Sequence, residues 1–153
     1  MSPISTIKPS SACSASTHNG MTMNYLTQDD LLDLHTFAIQ RFGGRMGIKS
    51  YDQLMSIVAA PQQIMFGEAV YPDLAGKVAV IGFRLLKNRP FIAGNEVTAL
   101  LAMLRLLQIN GATLADATPE DLATQLRAVL NSQLDHGGLT LWLRERLAIG
   151  VEE

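Results

Sequence analysis

A single cysteine, Cys13, in a chain of 153 residues excludes a disulfide framework and any metal site built on cysteine. Such sparing use fits a reducing cytoplasm, where the protein is expected to work. Charge is also scarce: 17% of residues are charged, the formal net charge is -2 and the pI is about 5.9. With no basic footprint, nucleic acid is not expected as a partner. The longest apolar segment, Val97 to Ile109, is too short for a bilayer and is interrupted by Arg105 and Gln108, so no membrane span is expected. Nowhere does the chain alternate apolar and polar residues over a strand's length, place a hairpin dipeptide between β-branched runs, or repeat itself. The glycine-rich stretch Gly43 to Lys49 follows a helix and lacks the Gly-Lys-Ser/Thr ending of a phosphate-binding loop, so it reads as a turn.

What remains is 48% apolar residue content, enough for one compact helical domain. Residues 1–24 are rich in Ser and Thr, without apolar periodicity, and are expected to be a disordered leader. It lacks the apolar core of a secretory signal. Met21 or Met23 is an alternative start to Met1, and His18 reads as solvated. Thr27-Gln28-Asp29-Asp30 has capping-box form and introduces Leu31, Leu34, His35, Ala38 and Phe42 on one helical face, with Gly43-Gly44 as the stop. His35 on that stripe reads as a packed, hydrogen-bonded residue. Ser50-Tyr51-Asp52-Gln53 is a second capping box, opening a helix that Pro61 ends. Tyr71-Pro72-Asp73-Leu74 starts a third, with Leu74, Val78, Ile81 and Leu85 inward. Gly82 within it costs about 0.5 to 1 kcal/mol relative to alanine and marks a close helix approach.

The stretch from Lys87 to Gly111 joins a tight polar loop to the most apolar helix, expected over Glu96 to Asn110. Val97, Leu100, Leu101, Leu104 and Leu107 hold the helical rhythm, Asn95 is the expected N-cap, and Asn110-Gly111 the stop. Such a helix belongs at the buried centre, and its N-terminus offers unpaired amides and about half a positive charge to an anion. Beyond it, Thr118-Pro119-Glu120-Asp121 opens another helix. Asp135-His136-Gly137-Gly138 is expected to break the pattern, with His136 in a turn, before a last helix over Leu139 to Ala148. The fold class is all-α, about six helices around a buried central one. The domain is expected over residues 25–149, followed by a tail over 150–153.

The eleven residues Arg89-Pro90-Phe91-Ile92-Ala93-Gly94-Asn95-Glu96-Val97-Thr98-Ala99 resemble the signature loop of the Fic/Doc family, His-Pro-Phe-x-Asp/Glu-Gly-Asn-Lys-Arg-Thr-Ala. Pro-Phe, Gly-Asn and Thr-Ala match in register. Tyr25-Leu26-Thr27, Arg41-Phe42-Gly43-Gly44, Gly47-Ile48, Tyr71-Pro72-Asp73-Leu74 and Trp142-Leu143-Arg144 are similar to the Doc (death-on-curing) branch. The resemblance covers roughly Tyr25 to Leu147. It implies a toxin–antitoxin toxin fold that transfers a phosphoryl or nucleotidyl group from a Mg-nucleotide to a protein hydroxyl. It also implies that Gln62 to Val70 forms a flap, often a short hairpin, in which Ile64, Met65 and Phe66 either border the groove or seal the core.

Within that resemblance, Arg89 and Asn95 stand at the catalytic motif positions, and Gly94, Asn95, Glu96 and Val97 at the anion- or nucleotide-binding ones. Phe66 and Phe91 are expected on the apolar rim of the groove. Four positions depart from the family pattern. Arg89 replaces the base, and a guanidinium stays protonated and has no acceptor lone pair. Loss of a positioned base costs about 100-fold to 10,000-fold in rate. Ala93 replaces the acid that would hold Mg²⁺. Glu96 and Val97 replace two cations, and two like charges about 4 Å apart at an effective dielectric near 20 repel by roughly 4 kcal/mol. Arg89 either contacts an anion or pairs with Glu96 across the loop; Glu96 would otherwise hold a metal or act as a base. Two functions follow. In one, the chain is a catalytically impaired binding module for a protein or peptide, including an antitoxin-like helix, with no cofactor and no metal. In the other it is an active transferase using Mg-ATP or another Mg-nucleotide.

Overall fold

A computed structural model describes residues 23–149. The expected leader lies outside them up to residue 22, as do Cys13, His18 and the tail 150–153. Asn24, expected in the leader, is held in place. Its amide donates to Asn110 Oδ1 (2.8 Å), its side-chain amide donates to the Ile109 carbonyl (2.9 Å), and Asn110 Nδ2 donates to its carbonyl (2.9 Å).

Among the described residues there are six α-helices: α1 (Gln28–Phe42), α2 (Tyr51–Ala59), α3 (Leu74–Asn88), α4 (Asn95–Ile109), α5 (Pro119–Leu130) and α6 (His136–Arg146). Local chemistry sets most of their ends. Thr27 and Asp30 cap α1 reciprocally at 2.8 and 3.1 Å, and Gly43 ends it at φ 88°. Ser50 Oγ accepts the Gln53 amide at 3.2 Å, so the α2 box has its N-cap half. After Ala59 a 3-10 turn over Ala60–Gln62 absorbs Pro61. Asp73 caps α3 and Thr118 caps α5 with a complete box. Each such cap contributes about 1 kcal/mol.

The α6 start corrects the sequence expectation. Asp135 Oδ1 accepts the Gly138 amide at 2.8 Å, so His136 is the first helical residue and the glycines occupy the first turn. A side chain at Gly138 would meet Leu134 Cδ1 at 2.5 Å. Gly138 permits a close approach there, and the glycine pair does not break the helix. The helix also stops at Arg146, because Leu147–Ile149 forms β4, antiparallel to β3 (Ala112–Leu114). A second pair, β1 (Ile64–Met65) with β2 (Glu68–Ala69), makes the hairpin implied for the flap. Both pairs are too short to alter the all-α class.

The centre is shared by α3 and α4. Eleven of the fifteen residues of α3 are buried against seven of α4, so α3 is the more enclosed. It packs on α2, α4, α5 and α6. The close approach expected at Gly82 is real: a Cβ there would land on the Met103 side chain, within 2.9 Å of Cγ. This contact also decides which face of α4 turns inward. Thr98, Ala99, Ala102, Met103, Leu106 and Leu107 are buried, whereas Val97, Leu100, Leu101 and Leu104 are half-buried flanks. Gly82 of α3 leaves the room that Met103 of α4 fills, and Leu106 and Leu107 are buried on the same inward face.

Candidate functional site

The loop between α3 and α4 lies at the threshold of the α4 core. Arg89, the C-cap of α3, sits in the left-handed region (φ 47°), with its amide donating to the Leu85 carbonyl at 3.3 Å. A non-glycine residue there costs about 1 to 2 kcal/mol, but the conformation turns the chain into Pro90. A cation in that place also faces the negative end of the α3 dipole.

Phe91 then plunges into the core. It is 1% exposed, and its ring stacks on His35 with centroids 3.8 Å apart and planes 6° from parallel. This corrects the expectation that Phe91 lines the groove rim: a ring sandwiched in the core has no face to offer a ligand. His35 Nε2 lies 2.8 Å from the Ala93 carbonyl. A carbonyl only accepts, so Nε2 carries the proton in this contact. His35 is 2% exposed, as its place on the apolar stripe suggested.

Asn95 is not the N-cap either. Gly94 takes that position (φ 78°), and a Cβ on it would press on Ile39 Cδ1 at 2.9 Å. Asn95 opens α4 with its side chain turned back: Oδ1 accepts the Phe91 amide at 3.0 Å, and Nδ2 donates to the Phe91 carbonyl at 2.9 Å. At 1% exposure, with its oxygen and one of its two N–H groups engaged by Phe91, it positions the loop and is closed off from solvent. The first turn of α4 has no side-chain cap.

A second segment braces the loop. Pro90 accepts from the Lys49 and Ser50 amides (2.6 and 3.0 Å), the Ile92 amide donates to the Gly47 carbonyl at 3.0 Å, and Ile48 pairs with Phe91 in an antiparallel bridge. The stretch Gly43 to Lys49, a turn by its sequence, is thus also a brace for the loop. The available signal was the glycine spacing, since Gly47 at φ 141° leaves its α-carbon open to Ile92 Cδ1, which a Cβ would meet at 2.5 Å.

At the mouth, Arg89 Nη1 is 3.9 Å from Glu96 Oε2, with side chains 45% and 58% exposed. The pair expected across the loop is therefore present, loosely, and at that exposure contributes about 0 to 1 kcal/mol. Val97 is half-buried beside it. Thr98 Oγ1 is buried without a partner among the described residues. Phe66 is 98% exposed at the hairpin tip, in a left-handed conformation (φ 53°) followed by Gly67. It projects to solvent and seals nothing. Thus Arg89, Gly94, Asn95, Glu96 and Val97 cluster, Phe91 supports them from below, and Phe66 stands apart on the flap.

The flap is rooted by Lys77, a buried lysine whose ammonium donates to the Pro61 carbonyl at 3.2 Å and to the Tyr71 carbonyl. Burial holds its pKa below the ordinary lysine value, against the attraction of Asp73. Asp73 is pulled the other way: a 2.8 Å hydrogen bond from Arg144 Nε is the main reason its carboxyl sits below the usual range, aided by the Gly76 amide. Neither of two surface cavities, of about 370 and 460 Å³, includes a residue of the 89–97 loop. Among the described residues, no three His, Cys, Asp or Glu side chains converge as a metal-binding group, and no helix is long and apolar enough to cross a membrane.

No curated protein matches the chain. The model of the Fic/DOC family matches residues 25–107, which include α1 to α3, the braced loop and nearly all of α4. The chain belongs to the Fic/DOC family.

Proposed function

We propose that this family member is a Doc-like binding module, impaired in group transfer, that docks a protein or peptide at the mouth of α4, an antitoxin-like helix being one such partner. The observation that carries the reading is the pairing of Arg89 with Glu96 at 3.9 Å. A permanent cation stands where the family pattern needs a proton acceptor, and its counter-ion stands where the pattern needs a phosphate-attracting lysine. The donor set does not suit a Mg-nucleotide. Mg²⁺ in such sites takes oxygen ligands, including one or two carboxylates. Ala93 has only its backbone carbonyl, which His35 occupies. Glu96 supplies a carboxylate beside the guanidinium and repels phosphate from the α4 amides. The same reading places the protein in the cytoplasm.

A second reading, transfer of a phosphoryl or nucleotidyl group to a protein hydroxyl, draws on the family membership and on the uncapped first turn of α4, whose amides are a generic anion cradle. Thermal unfolding with and without Mg-ATP and other Mg-nucleotides separates the two, because a ligand of the native state raises its stability. The binding module gives no shift. A concentration-dependent shift, together with label transfer to lysate proteins that Arg89→Ala abolishes, would establish the transferase.

A further inference from the structure

The chain carries a net charge of -2, yet it has no acid between Asp33 and Asp52 and none between Asp73 and Glu96. The fold sews one part of the first acid-free segment to one part of the second. The Ile92 amide donates to Gly47, the Ser50 amide donates to Pro90, and Ile48 pairs with Phe91. A Cβ on Gly44 would touch Ala93 Cβ at 3.4 Å, so the two stretches lie flank to flank. The surface that results has large apolar side chains standing in water: Phe42 (64% exposed), Met46 (52%), Ile48 (39%) and Ile92 (47%). Interleaved with them along the chain are Arg41, Arg45 and Lys49, all exposed and none ion-paired among the described residues.

The geometry points to an interaction surface formed by residues 41–49 and 90–93 that takes an acidic protein segment bearing large apolar side chains. This inference rests on the binding-module reading and names the chemistry of its partner. Exposed apolar residues at this density mark a contact surface. The cations among them select the partner's charge and speed its approach. Positive φ at Gly43, Gly44 and Gly47, together with the hydrogen bonds to the 90–92 backbone, fixes the segment's shape before binding, which lowers the ordering cost on association. An anionic bilayer is recognised by clusters of about four to eight cations. Here three are unpaired, and the carboxylate of Glu96 stands at the adjoining loop mouth. A peptide can match that arrangement charge by charge, whereas a uniformly anionic surface cannot.

The test is selection of random displayed peptides of about 16 residues on the full chain. Enriched sequences are then synthesised and titrated by fluorescence anisotropy at low and high salt. The expected winners are acidic and carry at least two large apolar residues. Their affinity should fall at least about tenfold in Arg45→Glu/Lys49→Glu and similarly in Met46→Ser/Ile92→Ser, circular dichroism showing each variant folded. Versions of the winners with Glu changed to Lys should prefer the charge-reversed protein, a rescue that a merely structural role would not produce. Failure to enrich any peptide, enrichment of neutral or basic ones, or affinity unchanged in both double variants would overturn the inference. So would tighter binding to phosphatidylserine vesicles or single-stranded RNA than to the best peptide. Nucleotide stabilisation with acidic peptides still docking here removes the parent reading and leaves this surface, while peptides that dock elsewhere do the reverse.

Discussion

Replacing Asn95 with alanine should loosen the loop before it touches any chemistry. Its two side-chain hydrogen bonds, 3.0 Å from the Phe91 amide and 2.9 Å to the Phe91 carbonyl, satisfy backbone groups beneath a ring that is 1% exposed. A buried donor or acceptor stripped of its partner costs about 1 to 3 kcal/mol. Two of them, with partial relief from water entering the space left, give an expected loss of about 2 to 4 kcal/mol, a large share of the roughly 5 to 15 kcal/mol typical of a domain. Urea unfolding followed by circular dichroism measures it. Asn95→Asp sharpens the test. A protonated aspartic acid reproduces both hydrogen bonds, but the carboxylate cannot donate to the Phe91 carbonyl and is buried. Its folded pKa is therefore raised above the unfolded value. The stability so provided is complete below the unfolded pKa and is lost as pH rises through the folded one. The Asp variant should thus approach the parent in acid and resemble Asn95→Ala at neutral pH. A loss below about 1 kcal/mol for Asn95→Ala, or an Asp variant without that pH dependence, would refute the claim that Asn95 pins the loop.

His35→Phe keeps the stack on Phe91 but leaves the Ala93 carbonyl unpaired, so it should cost about 1 to 3 kcal/mol, and His35→Ala more, by urea unfolding. Gly82→Ala forces a methyl onto Met103 and should destabilise by about 1 to 3 kcal/mol despite better helix propensity, with Met103→Val restoring part of the loss. Asp73, its pKa lowered chiefly by Arg144, lends stability above the ordinary Asp value that is lost as pH falls through the lowered one. Arg144→Gln should therefore flatten the acid limb of the stability profile measured by urea titration across pH. Restoring Arg89→His, Ala93→Asp, Glu96→Lys and Val97→Arg together should leave the melting temperature nearly unchanged and create a Mg-ATP-dependent thermal shift. A folded quadruple variant without that shift would mean that the groove itself differs from the family's.

Capping chemistry made much of the fold legible, because Thr27/Asp30 and Thr118/Asp121 satisfy amides within three residues of themselves and need no tertiary partner. Gly82 was legible for a similar reason, since a helical glycine has few other uses. The inward face of α4 was not. Helical periodicity grouped Leu107, which is buried, with four residues that are half-buried, because the close contact of Gly82 with Met103 is a property of two helices and of neither alone. Likewise Gly137-Gly138 reads as a break until Leu134 is seen to need the space at Gly138. At the site, the loop's position followed from local sequence, and the Arg89–Glu96 pair was one of the alternatives it left open. The inward turn of Phe91 did not follow from it, because that turn depends on stacking with His35, 56 positions earlier in the chain; the engagement of Asn95 with the Phe91 backbone is local, but an Asn at a helix start reads first as an N-cap. Strands of two or three residues such as β3 and β4 leave no periodic trace at all.

Burial divides the loop into two sets that follow the family resemblance closely. Pro90, Phe91, Asn95, Thr98 and Ala99, which keep the family pattern, are all buried, and Gly94, which also keeps it, is held at positive φ against Ile39. Arg89 and Glu96 are exposed, and Ala93 and Val97 half-buried; on the proposed reading these are the four that depart from the motif. The first set is under constraint from the fold itself, since any change there opens a cavity, strands a backbone group or strains a turn, at costs of about 1 to 5 kcal/mol. The second set meets solvent, where substitutions usually stay within about 0.5 kcal/mol. A chain relieved of transfer chemistry would therefore drift at the second set and hold the first, with no loss of packing. It follows that a match to the family's loop, when carried by the buried positions, measures the persistence of the scaffold. Evidence for the reaction has to come from the four side chains at the mouth, and here those are an arginine, an alanine, a glutamate and a valine.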